Sequence, residues 1–152
     1  MANHIIQQVR DDLLARITGL ATTGANAFLF NQIPQDETKV PFLYLRTMDD
    51  QDQRVSLGYP CVEEMLLNFE ISVVVYANGD YESAALNIRK EIEVALFGSI
   101  AAVTLGGKIV LLTRSGAQID EDETGGKPTY VIRLQITAQL RHLESLPDSF
   151  VY

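Results

Sequence analysis

The sequence predicts an α+β fold: a mixed, largely antiparallel sheet with two helices packed on one face, in the order α-β-β-β-α-β-β. Three observations predict it. Residues 5–20 and 81–97 repeat apolar side chains at helical steps of three and four, residues 65–76 and 129–141 alternate apolar and polar positions, and short polar or glycine-bearing segments punctuate the rest. At 152 residues, 47% hydrophobic and 21% charged, the chain has the size and balance of one folded domain. That domain is expected to span 1–152, with its core over about 3–142 and a short tail at 143–152.

The first helix places Ile5, Val9, Leu13, Ile17 and Leu20 on one face and Gln7, Gln8, Arg10, Asp11 and Arg16 on the other. Asn3 is its expected N-cap, and Gly19 or Gly24 its stop. Small polar residues at 21–27 lead into a short strand, Phe28-Leu29-Phe30. The segment 34–41, with a proline at each end, reads as a surface loop before the strand Phe42-Leu43-Tyr44-Leu45-Arg46. From Asp49 to Pro60 the apolar period vanishes, which predicts a long exposed loop of the kind that serves interaction. The next strand turns Met65, Leu67, Phe69, Ile71, Val73 and Val75 one way and Asn68, Glu70 and Ser72 the other.

Asn78-Gly79-Asp80 turns the chain, Asp80 caps the second helix, and Gly98 lies just past its end. Tyr81, Ala85, Ile88, Ile92 and Ala95 or Leu96 form the packed face of that helix, while Arg89 and Glu93 pair at i,i+4 on the other. Ile109-Val110-Leu111-Leu112 is apolar on both faces and predicts a central strand. The last strand alternates Tyr130, Ile132, Leu134, Ile136, Ala138 and Leu140 with polar neighbours; residues 129–141 would reach about 43 Å, long enough to project beyond the domain. The acidic run Asp120-Glu121-Asp122-Glu123 with Gly125-Gly126 marks a hairpin tip between these two strands.

A net charge of -8, from 20 acidic and 12 basic residues, repels a phosphate backbone and argues against sequence-specific nucleic-acid binding. No apolar run is long enough to span a bilayer, and the N-terminus lacks the pattern of a signal peptide, so neither membrane insertion nor export is expected. Cys61 is the one cysteine, read as a small, partly buried hydrophobe in a chain made in a reducing cytosol. The carboxylates at 120–123 lack the spacing of a calcium loop, and Asp49, Asp50 and Asp52 fare no better. His4 and His142 belong to no metal-binding pair and are expected at the surface. Neither a nucleophile elbow nor a phosphate loop occurs. No catalytic residue, metal or cofactor is therefore assigned. The candidate contact residues are Asp49, Asp50, Asp52, Arg54 and Tyr59 in the expected loop, and Asp120, Glu121, Asp122 and Glu123 at the hairpin tip. Phe150 and Tyr152 in the tail are further aromatic candidates for an interface.

In its order of elements the chain resembles the tail terminator proteins (minor tail or tail-completion proteins) of long-tailed bacteriophages, the lambda-type family. The likeness rests on the helix Ile5 to Leu20, the strand Val40-Pro41-Phe42-Leu43-Tyr44-Leu45, the strand 65–76 running through Asn78-Gly79-Asp80 into the helix 81–97, and the closing hairpin 109–141. It covers about residues 3–142. The resemblance implies a homo-oligomeric ring, hexameric in that family, that caps the head-proximal end of the tail tube, ends tail polymerisation and offers a surface for the head. The implied partners are further copies of the chain, the tail tube protein and the head-tail connector protein. The implied location is the virion tail, after assembly in the host cytoplasm. Neck or head-completion proteins and tail-tube proteins of the same phages are the neighbouring readings; the two helices lean away from a tube subunit. A small enzyme or ligand-binding domain, marked by a deep polar pocket, and a monomeric adaptor are the readings from other classes.

Overall fold

The structure, a computed structural model, describes residues 3–33, 39–124 and 127–151, and of residues 122–124 the backbone alone. The expected α+β arrangement is present. In chain order the elements are α1 (Ile5–Ile17), β1 (Ala27–Leu29), a single 3-10 turn, β2 (Phe42–Arg54), β3 (Val62–Tyr76), α2 (Tyr81–Phe97), α3 (Ile100–Val103), β4 (Leu111–Thr124), β5 (Lys127–Leu143) and β6 (Leu146–Phe150). The expected loop segment 34–38, the tip glycines Gly125 and Gly126, and Tyr152 lie outside the described residues.

The strands form one sheet in the order β1-β2-β3-β5-β4, with β6 on the last residues of β5. β1 runs parallel to β2 and the remaining pairs are antiparallel. β3 and β5 pair without interruption from Val62↔Leu143 to Tyr76↔Thr129 and form the spine of the molecule. Because β5 lies between β3 and β4, the latter two point the same way, and the connection between them must cross the sheet; α2 and α3 make that crossing.

Alternation decides which face the helices cover. Met65, Leu67, Phe69, Ile71, Val73 and Val75 of β3 and Tyr130, Ile132, Leu134, Ile136, Ala138 and Leu140 of β5 share one buried cluster with the apolar stripes of α1 and α2. The helix ends follow local chemistry. His4, not Asn3, caps α1, its ring accepting from the Ile6 amide; Asp80 accepts from the Ser83 amide at the start of α2. Gly19, at φ +84°, takes the left-handed turn that ends α1.

Four expectations are corrected. Residues 49–54 belong to β2, paired with β3 as far as Arg54↔Glu63, so only 55–61 remain as a turn. Alternation fails there because β2 is exposed on both faces from Arg46 onward, and backbone pairing alone makes it a strand. β4 is an edge strand, not a central one. Its apolar run marks the entry to the strand, where Ile109 and Leu112 are buried while Val110 and Leu111 are half exposed. β5 does not project alone, since β3 pairs along nearly its whole length. Finally, the tail forms β6, and Phe150 packs against the core, which accounts for that aromatic.

Candidate assembly surfaces and a histidine cluster

β1 pairs only with Leu43–Leu45 of β2, so among the described residues the outer edge of β2 is open from Arg46 to Arg54. A bulge between Thr47 and Asp50 shifts the alternation: Leu43 and Leu45 face the helices before it, and Asp50, Asp52 and Arg54 share the helix-side register after it. Asp49 falls in the bulge and accepts from the amide of Asn68 at 3.1 Å, whose own oxygen accepts from Thr137 at 2.7 Å. Beyond Arg54 the turn closes through the Val55 amide, which donates to the Val62 carbonyl, and the Val62 amide, which donates to the Ser56 hydroxyl oxygen. Gly58, at φ +103°, supplies a conformation closed to other residues. This turn holds Val55 half exposed, Leu57 fully exposed and Tyr59 85% exposed. Exposed apolar and aromatic side chains grouped in this way are a general feature of protein-contact surfaces.

The other candidate group lies on the opposite edge of the sheet. Asp120 pairs with Val131, which pairs with Val74, while Arg54 pairs with Glu63, which pairs with His142; the two groups therefore sit at opposite edges and opposite ends. β4 is exposed from Thr113 to Glu121 and bulged between Arg114 and Gly116. Asp120 is held by Arg133 at 3.2 Å and Glu121 is exposed; the side chains of Asp122 and Glu123 lie outside the described set. Charges and a bulge on an open edge discourage indiscriminate strand pairing. The two groups of residues that the sequence offered thus lie on separate parts of the sheet.

The strand ends nearest the β2–β3 turn hold a cluster that sequence spacing did not assemble. His142, expected at the surface, is 5% exposed. It occupies the next inward position after Leu140 in the alternation of β5, the one sequence signal that would have placed it inside. Its Nε2 lies 3.7 Å from Asp52 and 3.6 Å from Glu63, and its Nδ1 lies 3.1 Å from the Leu143 carbonyl oxygen. Cys61, expected to be partly buried, is fully buried; it donates its thiol hydrogen to Glu144 at 2.9 Å, and Arg54 reaches the same carboxylate at 3.3 Å. The hydrogen bond to Glu144, then burial, pushes the Cys61 thiol above its ordinary range, which favours the protonated thiol that donates this hydrogen bond. Of the aspartates proposed from sequence, only Asp52 joins this cluster among the described residues.

A cleft of about 360 Å³ lies between α2 and β4, lined by Arg89, Glu93, Phe97, Arg114 and Leu134 among others. Its charges satisfy one another: Glu93 accepts from Arg89 at 3.0 Å and from Arg114 at 2.6 Å. No helix among the described residues is long and apolar enough to cross a membrane.

Comparison with known proteins rests on structure. No family model and no curated protein matches the chain. Among solved structures, a chain of the virion of a native gene transfer agent particle superimposes with a TM-score of 0.51 at 20% identity, over 91% of this chain and 92% of that one. At that identity the match establishes a shared fold from end to end.

Proposed function

We propose that the protein is a structural subunit of a virion, and that within the virion it acts as a tail terminator: a ring that caps the tail tube, ends its growth and presents a surface to the head. The observation that carries the structural role is the fold shared end to end with a virion chain. Two features of the surface support assembly by the same reading. Open strand edges on β2 and β4 offer unpaired backbone for pairing between subunits, and the turn bearing Leu57 and Tyr59 offers an apolar anchor. A closed ring needs two different complementary patches on each subunit, and these features lie at opposite ends of the sheet. In this reading Asp49, Asp50, Asp52, Arg54 and Tyr59 meet a neighbouring subunit or the tube. Asp120, Glu121, Asp122 and Glu123 form an acidic edge that lets DNA pass without sticking. The function has no catalytic step.

One observation favours a second reading. Strand occupies about 47% of the chain and helix about 27%, and that strand content also suits a tail-tube subunit. Light scattering over a range of protein concentrations, with electron micrographs of large species, separates the two. Closed rings of uniform size, formed alone or on adding tail tube protein, support the terminator; open tubes of indefinite length support the tube subunit. A strict monomer in every condition, tube and connector proteins included, overturns both. Leu57→Asp with Tyr59→Ala is expected to abolish the rings, and rings that persist would remove the turn from the interface.

A further inference from the structure

We propose that Asp52, Glu63 and His142 form a binding site for a divalent transition-metal ion of the zinc class. The three side chains come from β2, β3 and β5, and their ligand atoms lie within 4.8 Å of one another. A cluster of carboxylates alone would mean little; the imidazole is what makes the arrangement specific. His142 is almost wholly buried, and its Nε2 has no hydrogen-bond partner among the described residues.

The geometry of the ring fixes its chemistry. The Leu143 carbonyl oxygen beside Nδ1 can only accept, so Nδ1 carries a hydrogen. This is the outer hydrogen bond that metal-ligating histidines characteristically make, and it turns Nε2 into the ligand atom. Nε2 in turn faces two carboxylate oxygens at 3.6 and 3.7 Å. A charged hydrogen bond between such groups would draw them to about 2.7–2.9 Å. Two ligands each about 2.1 Å from one tetrahedral ion stand about 3.4 Å apart, close to the spacing observed. Imidazole with two carboxylates is also a donor set that selects zinc-like ions, because calcium and magnesium take oxygen ligands. Three protein ligands leave a fourth position for water or a group from a partner. An ion here would tie together the strand ends that carry the exposed turn.

This inference does not depend on the proposed virion role, because its test reads metal uptake and not assembly. Chelator-treated full-length protein is titrated with Zn²⁺ against a chromophoric competitor, and with Co²⁺ by visible absorption. The expected result is one ion per chain, with the intense d–d bands of low-coordinate Co²⁺ and no displacement by equimolar Ca²⁺. His142→Gln and Asp52→Asn are each expected to weaken Zn²⁺ binding at least ten-fold, while Asp120→Asn, on the far edge, leaves it unchanged. The Asp52 side chain is nearly half exposed, so its variant tests the site even if burial makes His142→Gln unstable. Absence of stoichiometric uptake by the folded protein overturns the proposal, as does equal affinity in Asp52→Asn or displacement by Ca²⁺.

Discussion

Val73 and Val74 are neighbours on the same strand, carry the same side chain and are almost equally buried, yet they belong to different structures. Val73 points to the face covered by α1 and α2 and joins the large cluster that includes Phe69, Ile71, Ile88 and Ile132. Val74 points the other way, into a small cluster with Phe42 and Val131, bordered by Phe28 of β1, Tyr44 of β2, and Ile33 and Val40 between those strands. That second face also buries the polar Glu70 and Ser72. Helices make the first face a rigid three-dimensional core; the second is sealed by a few side chains at one end and stays polar elsewhere. The difference locates stability on one face and leaves the other, together with the sheet edges, free for contacts.

The largest effect is expected where the rigid face is densest. Phe69 is fully buried at the centre of the helix-covered cluster, and Phe69→Ala should cost about 3–5 kcal/mol, because packed helices close poorly over the space left behind. Urea unfolding measures it directly, provided the slope against denaturant is unchanged. A loss below about 1 kcal/mol would mean that the helix-covered face is loose, and the contrast with the open face would fail.

A sharper test uses the valine pair itself. Each Val→Ala change removes the same atoms, worth about 1.6 kcal/mol of burial at about 0.8 kcal/mol per carbon. Any further difference reports how far each site can collapse. Val73→Ala should cost about 2 kcal/mol or more and Val74→Ala roughly half as much, since few side chains cover Val74 and, among the described residues, no helix packs over them. Equal losses would show the second face to be as well packed as the first.

The same contrast explains what the sequence could reveal. β3, β5, α1 and α2 each turn an unbroken apolar row to the shared core, so their apolar periods of two or 3.6 appear directly in Met65–Val75, Tyr130–Leu140, Ile5–Ile17 and Ala85–Leu96. The end of β2 buries neither side, and a strand held by backbone pairing alone leaves no trace in side-chain pattern. Ile109–Leu112 misled for the opposite reason: a short apolar run has the same composition whether it is central or at an edge, and only the order of strands decides. The histidine cluster was legible in one part. Asp52 stood among the candidate residues, but its meeting with Glu63 and His142 depends on the bulge after Thr47 and the register of three strands. His142 itself could have been placed inside by extending the alternation of β5 by one step.

The smallest effect concerns the seam where the covered face meets the β4 edge. Burial alone would raise the Glu93 carboxyl, but hydrogen bonds from Arg89 and Arg114, together with their charges, outweigh it and hold the group below its ordinary value of 4.5. Arg114 is on β4 and Glu93 on α2, so this pairing joins the helix layer to the open edge. A depressed carboxyl contributes stability that is fully present above its unfolded value and disappears as pH falls through the folded one. With Arg114 half exposed, the contribution should stay below about 1 kcal/mol. Glu93→Gln should therefore lower stability slightly at pH 7, and the gap from the parent protein should close once pH drops well below 4.5. A gap that persists at low pH would assign the loss to packing of α2 on β4, and would extend the rigid face to the edge strand itself.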